Sequence, residues 1–234
     1  KDIFYFLIVS ICGNMLPAFL FTFAETGISS GFAGMLNSTT PIFTIFIGFG
    51  FFKIKMTWTQ IIGSVIGSIG VVFLLYFGKA VSLQGDWKHI IAVVLATLCY
   101  ATSLSIIRYK LSHYKSIDIA AIAFIILLIP SIIIFLSERT WIVFETNQLA
   151  WNNFMAISIL GLIGTAFALF LFNNIIKNTS ALFASSVTYF IPIVAVIIGF
   201  FFGEQLSAYQ ILSMFIVLLG VFIANFLGIK NSRH

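Results

Sequence analysis

Eight long apolar runs, separated by short connections, dominate the 234-residue chain. Each run has about the 20 residues that an α-helix needs to cross a hydrocarbon core roughly 30 Å thick. In lipid such runs satisfy their backbone hydrogen bonds as helices, and the short alternating segments typical of membrane barrels do not occur in the sequence. The pattern predicts an all-α membrane protein. The predicted spans are residues 3–23, 31–52, 60–77, 89–109, 117–137, 153–175, 181–202 and 208–228.

The amino-acid composition supports this interpretation. The chain is 61% hydrophobic and 8% charged, with a mean hydropathy of +1.13, whereas a soluble domain has about 25% charged residues. Both cysteines, Cys12 and Cys99, lie inside predicted spans, where we expect small packing residues instead of a disulfide. Because no cysteine and histidine cluster has metal-ligand spacing, we expect neither a metal nor another cofactor.

The basic residues are distributed unequally between the two sides of the predicted bundle. The side opposite the termini carries only Lys79, Lys88 and Arg139. The positive-inside rule then places both visible termini in the cytoplasm and the chain in the inner or plasma membrane. This topology accounts for the net charge of +5, and we expect no nucleic-acid partner. The side with the termini carries Lys1, Lys53, Lys55, Arg108, Lys110, Lys115, Lys177, Lys230 and Arg233.

A repeat relates the first three spans to the last three. At an offset of 151 positions, residues 10–52 align without gaps onto residues 161–203. Spans one to three therefore match spans six to eight, and because this shift is odd the two copies cross the membrane in opposite directions. Inverted repeats of this kind occur in secondary transporters, whose substrate site lies near the bilayer midplane between the copies. The most informative matched pairs are Gly13/Gly164, Ser29/Ser180 and Pro41/Pro192, followed, after one dropped residue, by Gln60/Gln210 and Gly70/Gly220.

The repeat divides the chain into two units. If each unit has five spans, residues 1–77 hold the last three helices of the first unit and residues 89–228 hold the second unit. Residues 78–88 then form an extracytoplasmic linker and residues 229–234 a cytoplasmic tail. This division predicts that the first two helices of the first unit, about 60 residues, precede Lys1.

The second copy ends with small residues, a proline within the span, Gly-Glu, Gln and a glycine-rich last span. It reads "SALFASSVTYFIPIVAVIIGFFFGEQLSAYQILSMFIVLLGVFIA" over residues 180–224. In these residues the chain resembles the drug/metabolite transporter superfamily, EamA type. The resemblance implies ten helices in two inverted five-helix repeats, of which the chain holds helices three to ten. It also implies export of small metabolites or amino acids. The first copy departs from the pattern, because its span is followed by Lys53 and Ile54, with no acid, whereas the second has Gly203 and Glu204, which argues against a shared role for that carboxylate.

Polar side chains near the middle of the spans form the candidate substrate site. In a membrane helix such side chains need a partner on another helix or a water-filled cavity. Pro41 and Pro192 are expected to kink their helices, and each frees the carbonyl four residues earlier, that of Asn37 or Thr188. The pairs matched by the repeat are Asn14/Thr165, Asn37/Thr188 and Ser38/Tyr189. The candidate substrate-binding residues of a midplane cavity are Asn14, Asn37, Thr40, Tyr100, Thr165, Thr188 and Tyr189.

Plainer interpretations stay open for individual residues. A serine or threonine in a membrane helix often bonds to a carbonyl of its own helix. Tyr100 is also compatible with packing in a phenylalanine-rich bundle. Asn173 and Asn174, near the cytoplasmic end of span six, could form a gate or an ordinary pair at the membrane interface, and the pair is the preferred interpretation. The small-residue stripe that includes Gly63 and Gly67 predicts close helix packing within the core in preference to a dimer face.

Three classes of membrane protein fit the predicted bundle, and a carrier fits best. No acidic or histidine side chain lies at mid-depth, so the inferred pocket is uncharged and suits small neutral or zwitterionic, amino-acid-like metabolites. Export by alternating access between the inverted repeats is the expected activity, with a small-molecule substrate and the lipid bilayer as partners. The oligomeric state is unknown.

The alternatives are a scaffold or sensor and an embedded enzyme. A non-transporting scaffold or sensor needs no central cavity, and its polar side chains would pack helix to helix. An embedded enzyme needs an acid, base, nucleophile or metal set. The sequence has no HExxH, no GxSxG and no intramembrane pair of acidic residues, so we do not expect an enzyme.

Overall fold

The computed structural model describes residues 2–28, 30–77, 86–139, 141–142, 144, 147, 149–191, 193–194 and 208–224. Within these ranges the regular structure is helical, with no β-strand, which confirms the predicted all-α class. A 3₁₀ turn at Ser186–Tyr189 follows the eighth helix. The helices are α1 (Asp2–Ala24), α2 (Ser30–Asn37), α3 (Thr40–Phe52), α4 (Trp58–Phe77), α5 (Trp87–Tyr109), α6 (Ser116–Ser137), α7 (Ala150–Asn178), α8 (Ala181–Ser185) and α9 (Ala208–Phe222).

The helices follow the predicted spans with one clear difference. Four of them, α1, α5, α6 and α7, are long and apolar enough to cross a membrane, and α3, α4 and α9 include shorter apolar helices. The second span, 31–52, is not one kinked helix but two helices, α2 and α3, separated by a turn. The seventh span begins with α8 and the 3₁₀ turn. Most of the 78–88 linker, Pro192, residues 195–202 of the seventh span, residues 225–228 of the eighth and the 229–234 tail lie outside the described residues.

Helix α1 contains a π-helical segment, Ile11–Met15, just before Pro17. Proline has no backbone N–H, and its ring clashes with the carbonyl four residues earlier, here that of Gly13. The widened turn accommodates this clash. The Leu16 N–H donates to the Ile11 carbonyl, five residues back instead of four.

A second π-helical segment, Leu160–Phe167, lies within α7 and contains two glycines instead of a proline. At its end the Ala168 N–H donates to the Ile163 carbonyl, again five residues back. The repeat offset carries the π segment of α1 onto residues 162–166, which lie inside this segment. The two helices that the repeat relates therefore depart from α-helical geometry at corresponding positions.

Helix α3 begins at Thr40, directly before Pro41. The missing N–H of Pro41 leaves the Asn37 carbonyl without its α-helical donor. The Thr40 hydroxyl donates to that carbonyl at 2.6 Å, and the Ser38 hydroxyl donates to the Gly34 carbonyl at 3.0 Å. The Thr40 hydroxyl thus replaces the missing backbone donor at the break, whereas the Ser38 hydroxyl adds a second donor to a carbonyl that already accepts the Ser38 N–H.

Helix α5 lies at the centre of the bundle, in contact with α1, α2, α3, α7 and α8. Small side chains such as Ala96, Ala101 and Ser105 form much of its buried face. Small residues let neighbouring helix backbones approach closely in a membrane protein. Five helices can therefore pack around α5, and its polar residues face them instead of lipid.

Helices α4 and α9 cross with their backbones in direct contact. A Cβ added at Gly220 on α9 would lie 2.3 Å from the backbone nitrogen of Gly67 on α4. A Cβ added at Gly63 would lie 2.3 Å from the backbone nitrogen of Ala224. Backbone contacts this short leave no room for any side chain, which confirms that the glycine stripe serves packing within the core.

Candidate functional site

A cavity of about 610 Å³ lies among α1, α2, α3, α5, α6 and α7. Sites for small molecules in proteins typically have volumes of about 300–1,000 Å³. The wall is mostly apolar, with amide and hydroxyl side chains set into it. Among the described residues that line it, none is charged. The cavity is therefore suited in size and polarity to an uncharged or internally balanced small solute.

Five of the seven predicted residues meet at this cavity, although they come from five different helices. Thr188 lies between two lining residues, Val187 and Ile191, but its side chain, like all of Pro192, is outside the described part of the chain. Pro41 is buried and directly follows Thr40, at the start of α3. The five lining residues are Asn14 of α1, Asn37 of α2, Thr40 of α3, Tyr100 of α5 and Thr165 of α7.

Asn14 and Thr165, which the repeat pairs, both lie on π-helical segments. Such segments are rare and often occur at functional sites, because the widened turn leaves a backbone carbonyl or a side chain accessible. Neither of the two side chains has a hydrogen-bond partner among the described residues. Their polar atoms are thus free to bind a solute or water in the cavity.

Asn37 and Thr40 stand at the break between α2 and α3. The Thr40 hydroxyl, besides donating to the Asn37 carbonyl, lies 3.3 Å from the Asn37 Oδ1. The Thr40 proton is therefore used within the break, between the Asn37 carbonyl and the Asn37 Oδ1. No described residue accepts a hydrogen bond from the Asn37 amide N–H groups. Thr40 thus holds the break in shape, while Asn37 presents a donor.

Tyr100 lines the cavity from the central helix α5. Its ring lies 6.1 Å from that of Phe21 on α1, measured between centroids. No described residue bonds to its hydroxyl. Tyr100 therefore combines an aromatic packing surface with a polar group, as an interior position beside a solute requires.

Tyr189 lies elsewhere, and the sequence-based expectation that it lines the cavity does not match its contacts. Its side chain is 0% exposed, and the hydroxyl donates to the Ser64 carbonyl at 2.8 Å. The ring packs against Gly67, whose missing side chain provides the space. A buried phenol needs a hydrogen-bond partner, and α4 supplies one. Tyr189 thus packs helix to helix.

Two polar residues of the cavity wall, Ser103 and Asn173, were not among the predicted set. Ser103 lies against Gly13, where an added Cβ would be 2.5 Å from the serine oxygen. Asn173 is not part of an interfacial pair as expected, because it is buried whereas Asn174 is exposed and bonds to Asn178. Asn173 follows Thr165 by eight residues, a spacing that keeps two positions within one stripe of a helix. That spacing is the sequence signal that could have identified Asn173 as a lining residue.

Polar contacts join the helix ends nearest the N-terminus of the chain. The Arg108 side chain donates to the Lys177 carbonyl, and the Lys177 ammonium donates to the Tyr114 carbonyl. The Tyr114 hydroxyl donates to the Asp2 carboxylate at 3.0 Å. This hydrogen bond to the neutral phenol, together with the negative charge, raises the pKa of Tyr114. A buried apolar cluster lies near these contacts, with Phe6 against the Tyr114 ring. Its members that also line the cavity include Leu104, Ile107, Ile119 and Ile176.

The described residues offer no metal centre. In that part of the chain no three histidine, cysteine, aspartate or glutamate side chains lie close enough together to hold an ion. Cys12 and Cys99 are free thiols. The chemistry of the cavity thus consists of amide, hydroxyl and aromatic groups, which bind solutes but supply no obvious acid, base or nucleophile.

The fold and the cavity define a multi-pass membrane protein with a solute-sized site inside its helical bundle. The EamA-like transporter family model matches residues 1–76 and 87–226. The chain belongs to this family.

Several bacterial proteins are similar to the chain. The uncharacterized inner membrane transporter YedA of Escherichia coli K12 is 27% identical over 83% of this chain and 61% of YedA. An uncharacterized transporter of Buchnera aphidicola (Schizaphis graminum) is 25% identical over 81% of this chain and 62% of its own length. The uncharacterized transporter YcxC of Bacillus subtilis is 26% identical over 90% of this chain and 70% of its own length. The chain thus spans about three fifths of the first two relatives.

A solved crystal structure has the same fold. It superimposes with a TM-score of 0.70, at 16% sequence identity, over 96% of this chain and 77% of the other. At this identity the likeness concerns the helical architecture alone.

Proposed function

We propose that the protein is a membrane carrier for small neutral or zwitterionic, amino-acid-like metabolites. The observation that carries the proposal is the convergence of Asn14, Asn37 and Thr165 on an uncharged cavity. Each of these residues stands at an interruption of its helix, either a π segment or the break before Pro41. Interrupted membrane helices commonly bind the substrate in secondary transporters.

The proposed mechanism is alternating access between two inverted five-helix repeats. The interruptions in α1, α2–α3 and α7 offer places where a helix can bend while the rest of it moves as a rigid body. Their corresponding positions in the two copies favour related movements in the two halves. The family resemblance favours export as the direction, and the distribution of basic residues favours cytoplasmic termini.

The proposed substrate class follows from the wall of the cavity. A solute with an unbalanced charge would need a counter-charge at this depth, and no described lining side chain carries one. Amide and hydroxyl groups can bind the ammonium and carboxylate of a zwitterion, whereas the apolar wall accommodates a hydrophobic side chain. An amino acid or a similar metabolite meets both conditions.

A scaffold or sensor is the second candidate. Two parts of the predicted set of polar residues bear on it differently. Tyr189 does pack helix to helix, as a scaffold would require. Asn14 and Thr165 instead line a cavity without described partners. An enzyme is less well supported, because the relatives compared above are named as transporters.

The test is solute efflux from liposomes that contain the full-length gene product and a mixed metabolite extract. Mass spectrometry identifies solutes that leave faster than from protein-free vesicles. We expect selective loss of amino-acid-like solutes, slowed about tenfold by Asn37→Ala, since the bound solute would lose a hydrogen bond.

Asn153→Ala is the matched control, because this asparagine is exposed near the start of α7 and does not line the cavity. It should leave efflux unchanged. If correctly folded protein, present in both orientations, releases nothing selectively, the carrier proposal fails and the scaffold becomes the better hypothesis. Equal slowing by both variants would instead remove Asn37 from the site.

A further inference from the structure

Asn173 is the most unusual polar residue of the cavity. It lines the wall from α7, yet its side chain is only 1% exposed. Its Oδ1 atom is buried and has no hydrogen-bond partner among the described residues. Buried polar groups are nearly always paired, because an unpaired one loses its hydrogen bonds to water and gains nothing. An orphaned amide oxygen in a cavity wall therefore points to a partner other than the described residues, such as a solute in the cavity.

The position of Asn173 separates it from the polar residues that were predicted from the sequence. It lies eight residues beyond Thr165 on α7, which corresponds to about 12 Å along a helix axis. Between the two, Leu169 and Phe172 give the wall an apolar stretch. The cavity therefore has polar groups at two depths with an apolar zone between them.

The charges nearest Asn173 restrict what the partner can be. Lys177 lies one turn further along α7, about 6 Å along the axis. The Arg108 side chain lies beside Lys177, since it donates to the Lys177 carbonyl. Two half-exposed cationic groups at this end of the cavity disfavour a third cation there. The group that donates a hydrogen bond to the Asn173 Oδ1 is therefore an uncharged N–H or O–H group.

Resting on the carrier function proposed above, we propose that Asn173 forms a second polar subsite of the cavity. It accepts a hydrogen bond from an uncharged amide, ureido or hydroxyl group at the far end of an elongated solute. The amino-acid head of the same solute occupies the midplane group around Asn14, Asn37 and Thr165. The preferred substrates are then neutral amino-acid-like molecules with a long side chain that ends in such a group.

Three amino-acid probes of similar length test this preference. Citrulline ends in an uncharged ureido group, arginine in a cationic guanidinium of nearly the same shape, and 2-aminooctanoate in a methyl group. Uptake of each labelled probe is measured in liposomes that contain the full-length protein. We expect citrulline to be taken up about tenfold faster than either of the others, the factor expected for one hydrogen bond to a buried group.

Asn173→Leu should abolish the preference for citrulline, because leucine fills the same space without a polar atom and citrulline then loses its advantage over 2-aminooctanoate. Asn174→Leu is the matched control, since this neighbouring asparagine is exposed and does not line the cavity. It should retain the preference. Asn173→Ala is measured in parallel, so that a folding defect in one variant does not decide the result.

The outcomes separate the subsite from the carrier function. If the wild-type protein takes up the probes without preferring citrulline, or keeps that preference in both Asn173 variants, the subsite is wrong and the carrier proposal stands. If the wild-type protein takes up none of the three probes, both proposals fail. Loss of citrulline preference in the Asn173 variants alone, with 2-aminooctanoate uptake retained, supports the subsite.

Discussion

Helices α4 and α9 meet along a line of glycines, whereas α1 and α7 contribute to the wall of a cavity. All four are apolar helices, although within the described residues only α1 and α7 are long and apolar enough to be candidate membrane spans. At the α4–α9 crossing, Gly63, Gly67 and Gly220 bring the two backbones into contact, and the Tyr189 hydroxyl is bonded to α4. At the cavity, α1 and α7 carry π segments and polar side chains without described partners.

Glycines at a helix crossing and polar residues at a helix interruption have opposite effects on packing in a membrane protein. Lipid tails are as apolar as the helices, so association depends on close packing, which glycine permits. A widened or broken helix turn does the reverse, because it displaces side chains from regular packing and leaves polar groups exposed inside the bundle. The closed contact packs the helices together, and the open one provides the candidate site.

The largest expected effect is at the closed contact. Gly220→Ala places a Cβ against backbone atoms of Gly67, which cannot move aside as a side chain would. Overpacking of this kind destabilises a core by about 1–3 kcal/mol. We expect a clear fall in the free energy of unfolding, measured by denaturant titration in detergent micelles.

Gly50→Ala on α3 is the matched control for that substitution. A Cβ there meets no atom within 4 Å. Alanine has a higher helix propensity than glycine by roughly 1 kcal/mol, so this variant should be as stable as the wild type or slightly more stable. Equal destabilisation by the two substitutions would contradict the packing role of Gly220.

A pair of tyrosine substitutions tests the boundary between the two regions. Tyr189→Phe removes the hydrogen bond to the Ser64 carbonyl and should lower the free energy of unfolding by about 1 kcal/mol. Tyr100→Phe removes a hydroxyl that has no described partner, so stability should hardly change while transport of the best substrate falls several-fold. Efflux assays and denaturant titrations on both variants give the two readouts. The reverse pattern would place Tyr189 in the site and Tyr100 in the packing.

The smallest expected effect concerns pH at the end of the bundle near Asp2. The pKa of Tyr114 is raised above its ordinary value near 10 by its hydrogen bond to the Asp2 carboxylate. A pKa that is higher in the folded state than in the unfolded state stabilises the protein below the unfolded value, and this stabilisation is lost as pH rises through the folded value. The thermal midpoint of the wild type should therefore decline as pH rises above about 10.

Tyr114→Phe should remove that part of the decline, because no phenol remains to ionise beside the carboxylate. Tyr76→Phe, at an exposed tyrosine of α4, is the control for general effects of alkaline pH. Thermal midpoints measured from pH 8 to pH 11 provide the comparison. Identical declines in the wild type and Tyr114→Phe would mean that this hydrogen bond contributes nothing to stability.

Much of the helical fold was predictable because membrane spans are long and uniform in composition. The runs 89–109 and 117–137 agree with α5 and α6 almost to the residue. The break before Pro41 was anticipated as a kink, although the structure has two separate helices there, with the Thr40 hydroxyl bonded to the freed Asn37 carbonyl. Backbone chemistry at a proline is local, so the sequence reveals its position, whereas the extent of the break depends on which side chains replace the missing bonds.

The candidate site was predicted in part. Asn14, Asn37 and Thr165 were found because the repeat matched polar residues at mid-depth, and they line the cavity. Tyr189 fitted the same pattern but faces α4, and Asn173 was assigned to the membrane interface although it is buried at the cavity wall. Depth along a helix can be counted from the sequence. The direction in which a side chain points depends on the helix that packs beside it.

The sequence by itself determined the membrane class, the positions of the spans, the glycines of the close contact and the mid-depth polar residues. Each of these follows from local composition or from spacing along one helix. Only the tertiary structure decided which polar groups share a cavity and which, like Tyr189, find a partner on another helix. It alone showed the unpaired oxygen of Asn173. The physical reason is that pairing depends on contacts between helices distant in sequence, and many such pairings satisfy the same apolar pattern.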